Sequence, residues 1–153
     1  MLTDIHSHLL PGIDDGAKTF DDTIGLSTAL QGFGEVQFIT TPPIIQHVWE
    51  NTHEQIRASK LETKQQLEES NITIPFTIAA EYLMNDQCVK LFQSRDPLTL
   101  KDNYVLVEMS YIKASIQLYS ILFDLQVAGY IPVLAHLERY LFYRNNFNEY
   151  LKL

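Results

Sequence analysis

Five short apolar runs alternate with helical patterns along this chain, and that rhythm constrains its fold more than any other feature. The runs cover residues 1–6, 36–40, 74–80, 104–107 and 131–135. Strand followed by helix, repeated in this way, predicts βα units around a parallel sheet. The first helix is expected over residues 21–32 with Thr19 as its N-cap, and the second over 52–70 with Asn51 or Thr52 as cap. Lys64 and Glu68 stand at i,i+4 spacing on that second helix. A short helix over 86–93 and another over 114–128, stopped by Gly129, complete the units, and the tail 145–153 reads as helical. Pro42 and Pro43 end the second strand. No repeat, low-complexity stretch or linker interrupts the pattern, so residues 1–153 read as one domain.

The chemistry-bearing residues stand where such a fold places its site. Asp4-Ile5-His6-Ser7-His8 closes the first run, and alternate residues of a strand share a face, so Asp4, His6 and His8 are expected to point together. The third run ends in Glu81, the fourth in Glu108 and the fifth in His136. The C-terminal ends of parallel strands face the active site in α/β folds. Glu108 and His136 directly follow runs that should be buried, and a buried charge needs a partner. A salt bridge or a hydrogen-bonded core histidine would explain each alone. Together, at one end of one sheet, they point to a metal site. The mixed imidazole and carboxylate set permits manganese, iron or zinc.

The bulk properties exclude several classes. A net charge of −8 without a basic run argues against a nucleic-acid partner. The same carboxylate excess suits a cation site, although a solvated acidic surface produces it too. No run approaches the length of a membrane span, and the N-terminus lacks the basic and apolar regions of a signal peptide. Cys88 stands alone, so no intrachain disulfide forms, and a cytoplasmic location is expected.

The motifs Asp4-Ile5-His6-Ser7-His8-Leu9-Leu10-Pro11-Gly12-Ile13-Asp14-Asp15-Gly16-Ala17, Thr40-Thr41-Pro42, Ala80-Glu81-Tyr82, Val107-Glu108 and Val133-Leu134-Ala135-His136-Leu137-Glu138-Arg139-Tyr140 occur in this order. In them the chain resembles the polymerase-and-histidinol-phosphatase (PHP) superfamily. Within it, the chain resembles the manganese-dependent protein-tyrosine phosphatases of capsule and exopolysaccharide gene clusters. The resemblance implies a distorted, TIM-like (βα) barrel, seven-stranded in the family, that holds two or three Mn2+ ions. By position the metal ligands would be His6, His8, Asp15, Glu81, Glu108 and His136. Arg139 would bind the substrate phosphate, for which its planar fork is suited. The implied chemistry is in-line attack of an activated water on phosphorus, with the metals and Arg139 offsetting charge. No phosphocysteine is required, and Cys88 and Arg95 are one residue too far apart for the Cys-x5-Arg of thiol-based phosphatases.

Two departures from the family pattern stand out. Where the family reads Thr-Pro-His after the second strand, this chain reads Thr41-Pro42-Pro43, with His47 as the nearest substitute ligand. The family's late Asp-x-His motif and a further arginine have no counterpart after His136, so about five βα units and an incomplete barrel are expected. A shortened paralogue, a fragment, or a homo-oligomer that completes itself would each account for this, and self-association is expected. The leading functional reading is hydrolysis of phosphotyrosine in proteins, with the tail of a bacterial tyrosine kinase as target. A degenerate relative that binds metal or partner without turnover, and a small-molecule phosphoesterase such as a histidinol-phosphate phosphatase, are the alternatives. Phe20, Tyr82, Tyr111 and Tyr140 are candidate aromatic walls for a phenyl ring, or core and rim residues.

Overall fold

The computed structural model describes residues 2–34, 36–93, 96–113, 115–144 and 146–152. The first residue of the first predicted strand, the start of the fourth predicted helix at Ala114, Arg95, and the tail positions Asn145 and Leu153 lie outside them. Among the described residues, eight strands and five α-helices follow one another in the order β1 (Leu2–Ser7), α1 (Phe20–Gln31), β2 (Val36–Thr40), β3 (Pro43–Ile45), β4 (Trp49–Glu50), α2 (His53–Glu69), β5 (Phe76–Ile78), β6 (Glu81–Leu83), α3 (Asp86–Gln93), β7 (Tyr104–Glu108), α4 (Leu118–Val127), β8 (Ile131–Leu134) and α5 (Phe147–Tyr150). Five of the strands correspond to the apolar runs of the sequence; β3, β4 and β6 do not.

The strands form two sheets rather than one. The first has the order β1-β2-β5 and the second β4-β3-β6-β7-β8, and every pair except the β3–β4 hairpin is parallel. The division falls at the ends of the second and third predicted runs, where the chain continues into new strands, β3 and β6. Pro42 and Pro43 carry no N–H, so the ladder to β1 ends where the Thr41 N–H donates to the Ser7 carbonyl at 2.8 Å. Beyond Pro42 the chain pairs with β6 instead, Pro43 opposite Glu81 and Ile44 opposite Tyr82. Two hydrogen bonds bridge the break: Ala79 N–H to the Thr40 carbonyl at 2.9 Å, and Glu81 N–H to the Pro42 carbonyl at 3.1 Å. Glu81 therefore opens a strand of the second sheet; it does not end one. The result is a bent, mixed α/β wall. Among the described residues no ladder joins β1 to β8, so the strands do not close into a ring, yet the ends of these two strands meet at the site described below.

Helix ends follow sequence chemistry closely. Thr19 caps α1 and Thr52 caps α2, each in a reciprocal capping box, with Asp22 and Gln55 respectively. The Lys64–Glu68 pair forms on the exposed face of α2 at 3.7 Å. The fourth helix begins at Leu118, later than its pattern suggests, because the chain first makes a tight turn that places Leu118 N–H on the Ser115 carbonyl. The C-terminal segment is mostly 3₁₀ turns, at Leu137–Arg139 and Leu141–Tyr143, and α5 is a single turn. No helix among the described residues is long and apolar enough to cross a membrane.

One apolar core lies between the second sheet and α3 and α4. Val105, Val107 and Leu125 are fully buried there, with Tyr82, Phe92 and Ile121 almost so. Phe92 meets both Tyr82 and Tyr130 edge-on, at 4.8 and 5.0 Å between centroids. Cys88 is buried on α3, and burial pushes its thiol up to about 12, so it is an inert packing residue at neutral pH.

Candidate metal centre

Each site residue is held by an element whose packing fixes it. Tyr82 and Met84 are buried in the core, so Glu81, first residue of β6, is pinned with 3% of its surface exposed. Glu108 is the last residue of β7 and is similarly buried. His136 follows β8 in the left-handed backbone region, at φ 54° and ψ 43°. For a non-glycine residue that conformation is uncommon and needs support. The support is Tyr140, whose buried hydroxyl donates to the Ala135 carbonyl at 2.8 Å and accepts from the Met109 N–H at 3.0 Å. Tyr140 thus ties the ends of β7 and β8 together.

The loop after β1 is built around a close approach. Gly12 N–H donates to the Ala17 carbonyl at 2.8 Å and Ala17 N–H to the His8 carbonyl at 3.2 Å, closing a compact turn. A Cβ on Gly16 would collide with the Cβ and carbonyl of His8 and crowd Asp14, so only glycine fits. Asp14 is buried, with one oxygen accepting from Gly16 N–H at 2.8 Å and the other 2.9 Å from His8 Nδ1.

All six residues expected as metal ligands, with Arg139 and Tyr111, line one cavity of about 510 Å³. Two groups of donors converge there. In one, ligand atoms of His6, Glu81 and His136 lie within 4.8 Å of one another; in the other, those of His8, Asp14 and Asp15 do. His6 Nε2 is 2.8 Å from His136 Nε2 across 130 residues of sequence. Glu81 Oε1 lies 3.3 Å from His136 Nε2 and 3.6 Å from His6 Nε2, yet it is buried without an aligned hydrogen bond. Thr41 Oγ1 engages His6 Nδ1, which leaves Nε2 facing the cavity. Asp4 is not on the cavity wall. The β1 ladder slips between Asp4 and Ser7, and Asp4 accepts from the His6 N–H at 2.9 Å.

The electrostatics ask for a cation. Burial pushes the Glu81 carboxyl up to about 8, and the neighbouring Glu108 carboxylate adds to this. Burial raises Glu108 as well, against a 2.8 Å hydrogen bond from the Tyr111 hydroxyl. Burial, followed by repulsion from His136, lowers His6 to about 4, and burial lowers His136. The two imidazoles are therefore neutral at neutral pH, with lone pairs free to bind a cation. The Asp14 hydrogen bond raises His8 while burial opposes it. An orphaned buried carboxylate oxygen, two neutral imidazoles and a second carboxylate fit a divalent metal, which would supply the missing positive charge.

Reasoning from sequence misses Asp14 and Thr41 as orienting partners of His8 and His6, and Tyr111 as the partner of Glu108. The Asp14-Asp15-Gly16 turn signals an acidic residue there but not which aspartate is buried. His47, the nearest substitute ligand for the Pro43 position, is not brought to the site: it is 80% exposed and lies 3.5 Å from Glu50 at the tip of the β3–β4 hairpin. Pro43 itself lines the cavity. Of the four aromatic candidates, Tyr82 and Tyr140 are buried, Tyr111 is on the cavity wall, and Phe20 is not.

A bent, largely parallel α/β wall with clustered histidines and carboxylates at its strand ends is the arrangement of an α/β protein with a candidate metal centre. The model for the family "Capsular polysaccharide synthesis, CpsB/CapC" matches residues 2–153, and the chain belongs to that family. It is 30% identical to the tyrosine-protein phosphatase YwqE of Bacillus subtilis over 139 residues, which are 90% of this chain and 55% of YwqE. It is 26% identical to the tyrosine-protein phosphatase CpsB of Streptococcus pneumoniae over 146 residues, 95% of this chain and 60% of CpsB. Crystal structures present these two proteins as metal-dependent tyrosine phosphatases. One of those structures matches 97% of this chain and 60% of its own with a TM-score of 0.88 and 30% identity. The chain thus spans little more than half the length of these relatives.

Proposed function

We propose that residues 1–153 form one PHP-type domain carrying a metal-dependent phosphatase site for phosphotyrosine in proteins, within capsular or exopolysaccharide synthesis. The observation that carries the reading is Glu81 Oε1, buried without a hydrogen bond between two imidazole nitrogens. His6, Glu81 and His136 would hold one ion, and His8 with Asp14 or Asp15 another, with Glu108 beside them; Mn2+ is the ion favoured. Divalent cations in such a site supply Lewis acidity and an activated water. Arg139 lines the same cavity, and its fork would take two phosphate oxygens and orient the phosphoryl group. The buried walls of β6 and β7 hold Glu81 and Glu108 in place before substrate arrives. The reading extends to a bacterial tyrosine kinase tail as substrate, a cytoplasmic setting, and self-association along the edge strands β1 and β8, where Ile5 and Ile131 are exposed.

Phosphate release from a phosphotyrosine peptide, with Mn2+ and with chelator, tests this. Turnover that needs Mn2+, exceeds that on histidinol phosphate and disappears in His136→Ala is expected. Pro43 favours a second reading, binding of metal and phosphoprotein without turnover. It lines the cavity opposite Glu81 in the ladder and offers no ligand atom. Mn2+ and phosphate binding by a folded chain that releases no phosphate would select it.

A further inference from the structure

Tyr111 lies three residues beyond Glu108 in the loop leaving β7, and it touches two parts of the site at once. Its hydroxyl donates to Glu108 Oε2 at 2.8 Å. The Arg139 guanidinium carbon sits 5.7 Å from its ring centroid, within cation–π range. The ring in turn stacks on Tyr140 at 5.9 Å and 28° between planes. Tyr140 is fully buried and ties Met109 to Ala135, so Tyr111 is backed by the tie that also supports His136. The hydroxyl also interacts with the Arg139 side chain, which beyond Tyr111 is loosely held. Arg139 is 57% exposed, and its neighbour Glu138, itself exposed, approaches no closer than 3.9 Å. A long cation without the ring beneath it would sample many rotamers and lose entropy on meeting phosphate.

We propose that Tyr111 is a positioning residue with two jobs: its hydroxyl fixes the Glu108 carboxylate for the metal, and its ring, aided by the hydroxyl, holds the Arg139 guanidinium over the phosphate position. This rests on the phosphatase reading of the same site. Only the hydroxyl serves Glu108, whereas the ring remains beneath Arg139 when the hydroxyl is gone, so two substitutions separate the jobs. Tyr111→Phe removes the hydroxyl and keeps the ring; Tyr111→Leu removes both.

Calorimetry with Mn2+ alone, then with inorganic phosphate added to the Mn2+-saturated protein, reads each job without relying on turnover. Y111F should weaken Mn2+ binding roughly tenfold, the loss typical of an outer-shell partner of a ligand, and weaken phosphate less than loss of the whole ring does. Y111L should show the same Mn2+ loss and weaken phosphate about twofold to fivefold beyond Y111F, the scale of an exposed cation–π contact. A merely structural tyrosine would lower the melting temperature and leave both constants alone. Should the Leu variant fail to fold, Tyr111→Gln removes the π face in its place. Native Mn2+ affinity in Y111F, or equal phosphate affinity in Y111F and Y111L, overturns the inference. A native protein that takes up no Mn2+ overturns the functional reading, and this inference with it.

Discussion

The two donor clusters in the cavity are built in opposite ways. His8, Asp14 and Asp15 come from eight consecutive residues, folded back on themselves by a turn that needs Gly16. His6, Glu81 and His136 come from three elements spread over 130 residues, and only the bend of the wall brings them together. The local cluster is part exposed and satisfied by hydrogen bonds of its own. The non-local cluster is buried around a carboxylate oxygen that lacks one. A site made by a turn can exist wherever the turn exists. A site made by a bent sheet exists only when the sheet is complete, and here it is the one left in electrostatic deficit. The two should therefore break differently.

Glu81→Gln should cost most. It removes the carboxylate of the non-local cluster, and Mn2+ uptake there should fall about a hundredfold or more, with phosphate release lost. The fold should survive, because burial already holds the Glu81 carboxyl up to about 8 and an amide of the same shape replaces a group that is largely uncharged in the metal-free protein. Calorimetry paired with a thermal melt checks both halves. A metal-free melting temperature that collapses in the variant would show that Glu81 is held by contacts other than those described.

Gly16→Ala should break the local cluster through sterics. The added Cβ meets the backbone carbonyl of His8 as well as its side chain, so no rotamer change relieves it. A stability loss of about 1–3 kcal/mol is expected for such overpacking, with one Mn2+ equivalent lost and the non-local cluster retained. Denaturant titration and metal stoichiometry measure this. Loss of both equivalents together would mean that the clusters act as one unit. Asp14→Asn is milder. It keeps the shape but weakens the acceptor that orients His8 Nδ1, and roughly tenfold weaker binding at the local cluster is expected.

The same contrast explains how much of the site is legible in the sequence. Strand-end position finds Glu108 and His136, because a polar residue after a buried run is visible without coordinates. The capping Thr19 is visible, and the second helix's cap is narrowed to Asn51 or Thr52, because such hydrogen bonds lie within four residues. Glu81 is found for a reason the structure corrects. It follows an apolar run, as the end of a strand would, but it begins β6, because Pro42 and Pro43 pass the ladder from one sheet to another. Sequence periodicity has no term for a strand that changes partners midway. Asp14 against Asp15 cannot be decided either, since both sit in one turn and only tertiary packing buries one of them.

The smallest effect is expected from His47→Ala, and it bears on the non-local cluster because Pro43 lines the cavity and offers no ligand atom. His47 follows Pro43 by four residues, a span over which an open loop could carry it inward. The β3–β4 hairpin prevents this. Ile44 pairs with Glu50 and Ile45 with Trp49, and the turn places His47 at the tip with φ 64° and its ring largely in solvent. Trp49, two residues on, lines the cavity that His47 does not reach. The exposed His47–Glu50 contact is of the kind that contributes about 0–1 kcal/mol, so Mn2+ affinity, phosphate affinity and melting temperature should all stay near native. A marked loss of Mn2+ binding in this variant would mean that the hairpin opens and folds over the cavity when metal is present, and that the non-local cluster has a fourth ligand after all.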